Sequence, residues 1–203
     1  MANSIDGPNI PTLVTERLRL RPFRLSDIDD YAAMNADPEV VRYLAGGGTW
    51  ERERSWRHMA FLIGHWQLAG SGMWAVEQKE TRTFVGMTGF ADPEGWAGFE
   101  LAWKLVRRWW GRGYATEGAQ AALAYAFTAL NKDRVISLIH PENQASIRVA
   151  ERLGETLQGH SDLRGNDYLV YGINRESYIA QAETAKTLPG ITDGRERWRA
   201  VAS

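Results

Sequence analysis

The chain has no cysteine among its 203 residues. That single absence removes disulfide scaffolds, thiolate metal sites and cysteine nucleophiles together, and it suits a reducing compartment. Charge of one sign is also lacking: 24 Lys and Arg stand against 25 Asp and Glu. Bulk electrostatics therefore gives no reason to expect direct nucleic-acid contact, and any polyanion has to be met by a local arrangement. No run of about 18 apolar residues occurs, and the opening MANSIDGPNIPTLV has neither the basic start nor the apolar stretch of an export signal. The expectation is a cytoplasmic protein with no membrane contact. Histidines are few and badly spaced for a metal: His58 and His65 lie seven apart, His140 and His160 stand alone, and no metal site is expected.

What is present suits one domain, expected over residues 1–180, with a polar extension over 181–203. RLRLRPF alternates as a strand with one buried face, after a dozen residues of little pattern. In LSDIDDYAAMNADPEVVRYL two short helices are expected, the first capped by Ser26, the second by Asp37 with Pro38 in its first turn. After the glycines at 46–48, Thr49 is expected to open a third helix, with Trp56, Met59, Ala60 and Ile63 as its apolar stripe. Three β-prone runs from Gly72, around GMWAVEQK, TFVGMTGFADP and GFELAWKLV, predict an antiparallel meander. An alanine-faced helix (ATEGAQAALAYAFTAL), a buried strand (RVISLIH), a helix ended by Gly154 and a closing hairpin follow. The class is α/β in the broad sense, a mixed α+β fold.

The stretch RRWWGRGYATEG, residues 107 to 118, carries the chemistry. Gly111 and Gly113 stand just before a helix, where unpaired N–H groups and the positive end of the helix dipole stabilise an anion. Lacking Cβ atoms, they let a phosphate approach those amides, with Arg108 and Arg112 supplying charge. A tight turn packed with tryptophan is the plain alternative. A P-loop is excluded, because no lysine follows the second glycine in the required position. The dinucleotide fingerprint lacks its third glycine, where Thr116 stands, although Asp133 lies about twenty residues on, so an NAD(P)-binding reading stays open.

Taken with TERLRLRPF, DPEVVRYL, WAV, GFELAWKL, WWGRGYATEG, AALAYAF and HPENQASIRVAERLG, in that order over residues 15 to 154, the chain resembles the GNAT superfamily of N-acetyltransferases, in particular its RimJ/RimL-like branch. The resemblance implies the GNAT acyl-CoA N-acyltransferase fold: a central, mostly antiparallel twisted sheet with a V-shaped split, flanked by helices. It implies acetyl-CoA as co-substrate and no metal. The family's signature, Gln or Arg-x-x-Gly-x-Gly or Ala, fits here in two registers, from Arg108 through Gly111 and Gly113 or from Trp110 through Gly113 and Ala115. Carried over, Gly111, Arg112, Gly113, Tyr114, Ala115 and Thr116 hold the pyrophosphate, main-chain groups of Trp103, Lys104 and Leu105 meet the pantetheine and thioester, and Asn143 offers its amide. As sequence alone, Asn143 reads equally as a helix cap.

Acetyl transfer needs a neutral amine, a stabilised oxyanion and a proton for the leaving thiolate. Glu100 is the candidate base, Leu105 N–H the oxyanion donor and Ser146 the candidate acid. Many relatives place a tyrosine where this chain has Ala150. His140 is a further possible base, Trp50, Trp56, Trp66 and Trp74 are core or line an acceptor pocket or a partner surface, and the solvated Glu51 and Glu53 would attract a cationic acceptor. With no cysteine, transfer is expected to be direct, in a ternary complex. The acceptor is a protein N-terminal amine or a small amine, and the protein a monomer or homodimer. A non-catalytic acyl-CoA-binding or interaction module on the same fold is the other reading.

Overall fold

The computed structural model describes residues 10–44, 47–163, 165–187 and 199–201. The first nine residues, Gly46 and most of the expected C-terminal extension lie outside them. Nine strands form one sheet in the order β7-β8-β6-β5-β4-β3-β2-β1-β9. They are β1 (Thr12–Val14), β2 (Leu18–Arg21), β3 (Met73–Gln78), β4 (Phe84–Ala91), β5 (Glu100–Leu105), β6 (Arg134–Ile139), β7 (Thr156–Leu163), β8 (Asn166–Asn174) and β9 (Arg199–Val201). Every neighbouring pair is antiparallel except β5 and β6, which run parallel and share a single register pair, Glu100 with Ile136. The expected meander is β3–β4–β5, and the hairpin is β7–β8. The three-residue β1 is too short to show a period and was not expected.

The sheet is covered on both faces, which is why its middle strands are apolar throughout rather than alternating. In β3, Trp74 and Val76 face α4 (Tyr114–Thr128), while Met73 and Ala75 face α1 (Ile28–Asn35) and α3 (Arg52–Ala69). The alanine face of α4 (Ala119, Ala122, Ala126) is fully buried on Leu18, Leu20, Trp74 and Leu101. Small side chains bring this helix close to the sheet, and a Cβ added at Gly118 would stand 3.3 Å from the Thr88 methyl. Each fully buried leucine here contributes about 2 kcal/mol of transfer free energy.

Polar ties fix the edges. Arg21 is buried and donates to Asp27 (2.7 and 2.8 Å) and to Glu77 (2.8 Å), joining β2, β3 and the start of α1. Because Asp27 also stands at the N-cap of α1, the cap expected at Ser26 falls one residue later, and the Asp27 carboxylate is taken by Arg21 instead of by helix amides. Asp37 does cap α2 (Pro38–Val41), accepting from Glu39 N–H at 3.0 Å. The third helix opens at Arg52 after Glu51, not at Thr49. Its buried stripe is Ser55, Met59, Leu62 and Trp66; Trp56, Ala60 and Ile63 are exposed. The expected phase was wrong because Ser55 faces inward, where its hydroxyl accepts from buried Asn35 at 3.2 Å, an anchor no apolar pattern reveals.

The helix α5 (Gln144–Leu153) ends at Gly154, and α6 (Arg175–Thr187) follows β8 directly and runs across residue 180. No described helix is long and apolar enough to cross a membrane.

Candidate active site

The two parallel strands separate immediately after they meet. Ile136 N–H bonds to the carbonyl of Phe99 at 3.0 Å, and the next ladder bonds do not form. Side chains satisfy the freed groups. Ser137 Oγ lies 2.8 Å from the Leu101 carbonyl, and the Glu100 carboxylate accepts the N–H of Leu138. Beyond this apex lies the V-shaped split that the family resemblance implies.

Strand alternation decides which main-chain groups of β5 look into the split. Val106 N–H bonds to Val85 in β4, so residues of the same parity, Lys104 and Ala102, have their N–H and C=O in the β4 ladder. Trp103 and Leu105 turn theirs toward β6. The expected contribution of Lys104 main chain to the pantetheine site is therefore corrected: those groups are already paired. The Leu105 carbonyl accepts from the Trp110 indole at 2.9 Å, which leaves its N–H facing the split.

At the far end of the split, Gly113 is the N-cap of α4 with φ +79°, and Gly111 has φ +73°. Both conformations favour glycine. The first intrahelical acceptor is Gly113 O, bonded by Glu117 N–H at 3.0 Å. Among the described residues, the amides of Gly111 through Thr116 have no chain acceptor, so the donors expected to receive a diphosphate are open. The loop is braced from below, where Arg17 donates from Nε to Glu117 (2.6 Å) and from its guanidinium to the Arg112 carbonyl (2.9 Å), and stacks over Tyr114 at 4.7 Å. Thr15 Oγ1 adds a 2.6 Å bond to the same carboxylate.

These elements enclose a cleft of about 590 Å³. Trp103, Lys104, Leu105, Gly111, Gly113, Tyr114, Ala115, Thr116, Asn143 and Ser146 all line it. Arg112 does not; its guanidinium lies 5.0 Å from the Trp109 ring. Asn143 is the N-cap of α5, accepting from Ser146 N–H at 3.1 Å, and its amide N–H groups meet no acceptor among the described residues. The cap and the ligand roles are thus compatible. Ser146 Oγ lies 3.3 Å from the Trp103 indole nitrogen, which donates to it. Arg148 and Arg152, one turn apart on α5, line the cleft as well and were missed. Their spacing in NQASIRVAERLG was the available signal.

Glu100 does not line the cleft. Its carboxyl is buried at the apex and accepts from the Trp96 indole at 2.6 Å. Burial pushes its pKa up to about 7, against the pull of the Trp96 and Leu138 donors. A second buried carboxyl, Glu155, stands nearby and was not singled out in the sequence. Its Oε1 is 3.1 Å from Ser137 Oγ, and its Oε2 has no partner. A hydroxyl carries one hydrogen. Ser137 has both the Leu101 carbonyl (2.8 Å) and Glu155 Oε1 (3.1 Å) as acceptors, so the two compete for its one hydrogen. Burial, reinforced by the Glu100 charge, raises its pKa to about 8.

His140 contacts Tyr43 (tilted, 5.1 Å) and Tyr168 (edge-on, 6.4 Å), with Nδ1 accepting from Glu142 N–H at 3.2 Å. His65 is a structural residue joining Ser71 and Asp92. Trp66 and Trp74 are core, packed at 4.9 Å, while Trp56 is exposed and Trp50 half-buried; Glu51 and Glu53 are exposed. No group of three or more metal-ligating side chains occurs among the described residues.

The family model described as the Acetyltransferase (GNAT) domain matches residues 17–156. The chain belongs to the GNAT acetyltransferase family. It is 34% identical over 151 residues to an uncharacterized N-acetyltransferase, p20, of Bacillus licheniformis, a match covering 73% of this chain and 84% of that one. The crystal structure of the acetyltransferase from Agrobacterium tumefaciens str. C58 superposes with a TM-score of 0.73 at 33% identity, over 81% of this chain and 95% of that chain. RimL, a ribosomal L7/L12 alpha-N-protein acetyltransferase solved with coenzyme A, superposes with a TM-score of 0.68 at 19% identity, over 81% and 97%, a likeness of fold. The GNAT fold, with its mostly antiparallel sheet and helical cover, and acetyltransferase activity are thereby established for this chain.

Proposed function

We propose that this GNAT enzyme transfers the acetyl group of acetyl-CoA directly to a primary amine within a ternary complex. The observation that carries the reading is the row of open amides from Gly111 to Thr116, at one end of a cleft whose other wall is Ser146 and the Trp103 main chain. A diphosphate suits those donors and the helix dipole; Arg148 and Arg152 add charge along the wall. Acetyl-CoA supplies the activated acyl group. Main-chain groups of Trp103 and the free amide of Asn143 orient the pantetheine, and Leu105 N–H is aimed where an oxyanion would form. Ser146 hands a proton to the departing thiolate. Glu100, with its pKa about 7, takes the amine proton through water, because its carboxyl is set back from the cleft.

The acceptor is a protein N-terminal amine or a small amine. RimL, of the same fold, acts on a ribosomal protein, which favours the first. Release of CoA thiol, measured against peptides, polyamines, amino acids and aminoglycosides, tests the reading. Turnover is expected with one acceptor class. Silence with every class, in a protein that binds CoA, would instead support a non-catalytic binding module.

A further inference from the structure

Lys104 is a buried lysine with no carboxylate partner among the described residues. Its side chain leaves β5 on the face toward α1 and α3, the parity opposite to Trp103. Nζ donates to Asn35 Oδ1 at 2.6 Å and lies over the rings of Trp50 (4.8 Å) and Tyr31 (5.4 Å). An ammonium has three N–H groups, and Asn35 accepts only one of them. No carboxylate among the described residues reaches Nζ, and burial alone depresses its pKa to about 7.

The neighbouring α3 side chains add positive charge. The Arg54 guanidinium lies over the Trp50 ring at 4.5 Å. His58, bonded at Nδ1 to the Tyr31 hydroxyl at 2.6 Å, is held neutral: burial, then Lys104 and Arg54, pull its pKa down to about 4. Ser55 and Asn35 are neutral and bonded to each other. An unpaired buried charge is costly unless an opposite charge arrives. The half-buried Trp50 is the cover of this cluster, and Lys104 also borders the cleft. If CoA lies on the α4 and α5 side, as proposed above, an acceptor approaching from the α1 and α3 side of β5 would pass this ammonium.

We propose that Lys104 Nζ receives a carboxylate carried by the acceptor, so that the enzyme selects amines bearing an anionic group a few bonds from the nitrogen. This rests on the acetyl-transfer reading above. Two sources share that chemistry: the α-carboxylate of a free amino acid and the side-chain carboxylate of an acidic N-terminal residue in a peptide.

Matched pairs test it: amino acids against their amides, and peptides beginning with Asp or Glu against those beginning with Asn or Gln. Whichever source is right, the wild-type enzyme favours the carboxylate member of that pair by about tenfold or more in kcat/KM, mainly through KM. In Lys104→Met that ratio falls toward one, and Lys104→Arg restores part of it. Equal kcat/KM within both wild-type pair types overturns the assignment, as does a Lys104→Met variant that slows both members alike. Calorimetry with CoA runs alongside. Heat with CoA but no acetylation of any member sinks the Lys104 proposal alone; no heat sinks the donor-site reading beneath it.

Discussion

Ser137 Oγ donates to the Leu101 carbonyl at 2.8 Å, occupying the position a neighbouring strand would otherwise fill. Together with the Glu100 carboxylate on Leu138 N–H, this bond explains how β5 and β6 part without leaving buried polar backbone unpaired. The split that receives the cofactor in our reading is therefore held open by side chains of the two strands that form it.

Glu155, at the back of the same apex, gives a pH-dependent prediction. Its pKa is raised in the folded protein, so the native state holds a proton that the unfolded chain releases. Its stabilising effect is fully present below the ordinary carboxylate pKa and is lost as pH rises through about 8. Glu155→Gln, which keeps an acceptor oxygen for Ser137 and cannot ionise, should be more stable than wild type above pH 8 by on the order of 1–3 kcal/mol. The difference should shrink toward pH 4. Urea denaturation at several pH values measures it, and a pH-independent difference would show that Glu155 is ionised in the fold.

Arg17 and Glu117 make a second prediction. Their 2.6 Å ion pair lies under the phosphate loop but outside the cleft lining. Glu117→Gln weakens the brace while nearly preserving volume. CoA affinity should fall about three- to tenfold as the loop loses preorganisation, with Tm close to wild type. Unchanged affinity by calorimetry would mean that the loop holds its shape unaided.

Ser146→Ala separates binding from chemistry. The hydroxyl faces the cleft and the Trp103 indole, so kcat should fall on the order of tenfold to a hundredfold, with CoA affinity little changed. Equal loss of CoA affinity and kcat would assign Ser146 to positioning alone.

Away from the cleft, Asp27→Ala leaves buried Arg21 with Glu77 as its remaining carboxylate partner. Removing one member of a buried ion pair costs about 3–5 kcal/mol, so denaturant midpoints should drop sharply. A near-neutral result would show that water replaces the carboxylate.

The layout was legible where local chemistry and tertiary packing agree. Asp37 before Pro38, the alanine face of α4 and the glycine pair before it each have a local physical meaning, and each stands as expected. Thr49 and the stripe Trp56, Ala60 and Ile63 misled, because the phase of α3 is fixed by the Ser55 hydroxyl meeting Asn35, a contact 20 residues apart. Ser137 and Glu155 were invisible for a similar reason: their roles exist only where β5 and β6 separate. For Lys104, the main chain was expected to matter, and the strand pairing commits those groups to β4 instead.

In our reading, the open amides at the start of α4 bind the diphosphate of CoA. Titration calorimetry of the folded protein with CoA tests it most directly, with Gly113→Ala in parallel. We expect saturable heat for the wild type and affinity lower by about tenfold in the variant, where a left-handed non-glycine residue costs about 1–2 kcal/mol. No heat from the folded wild type, or identical affinity in both proteins, would contradict it.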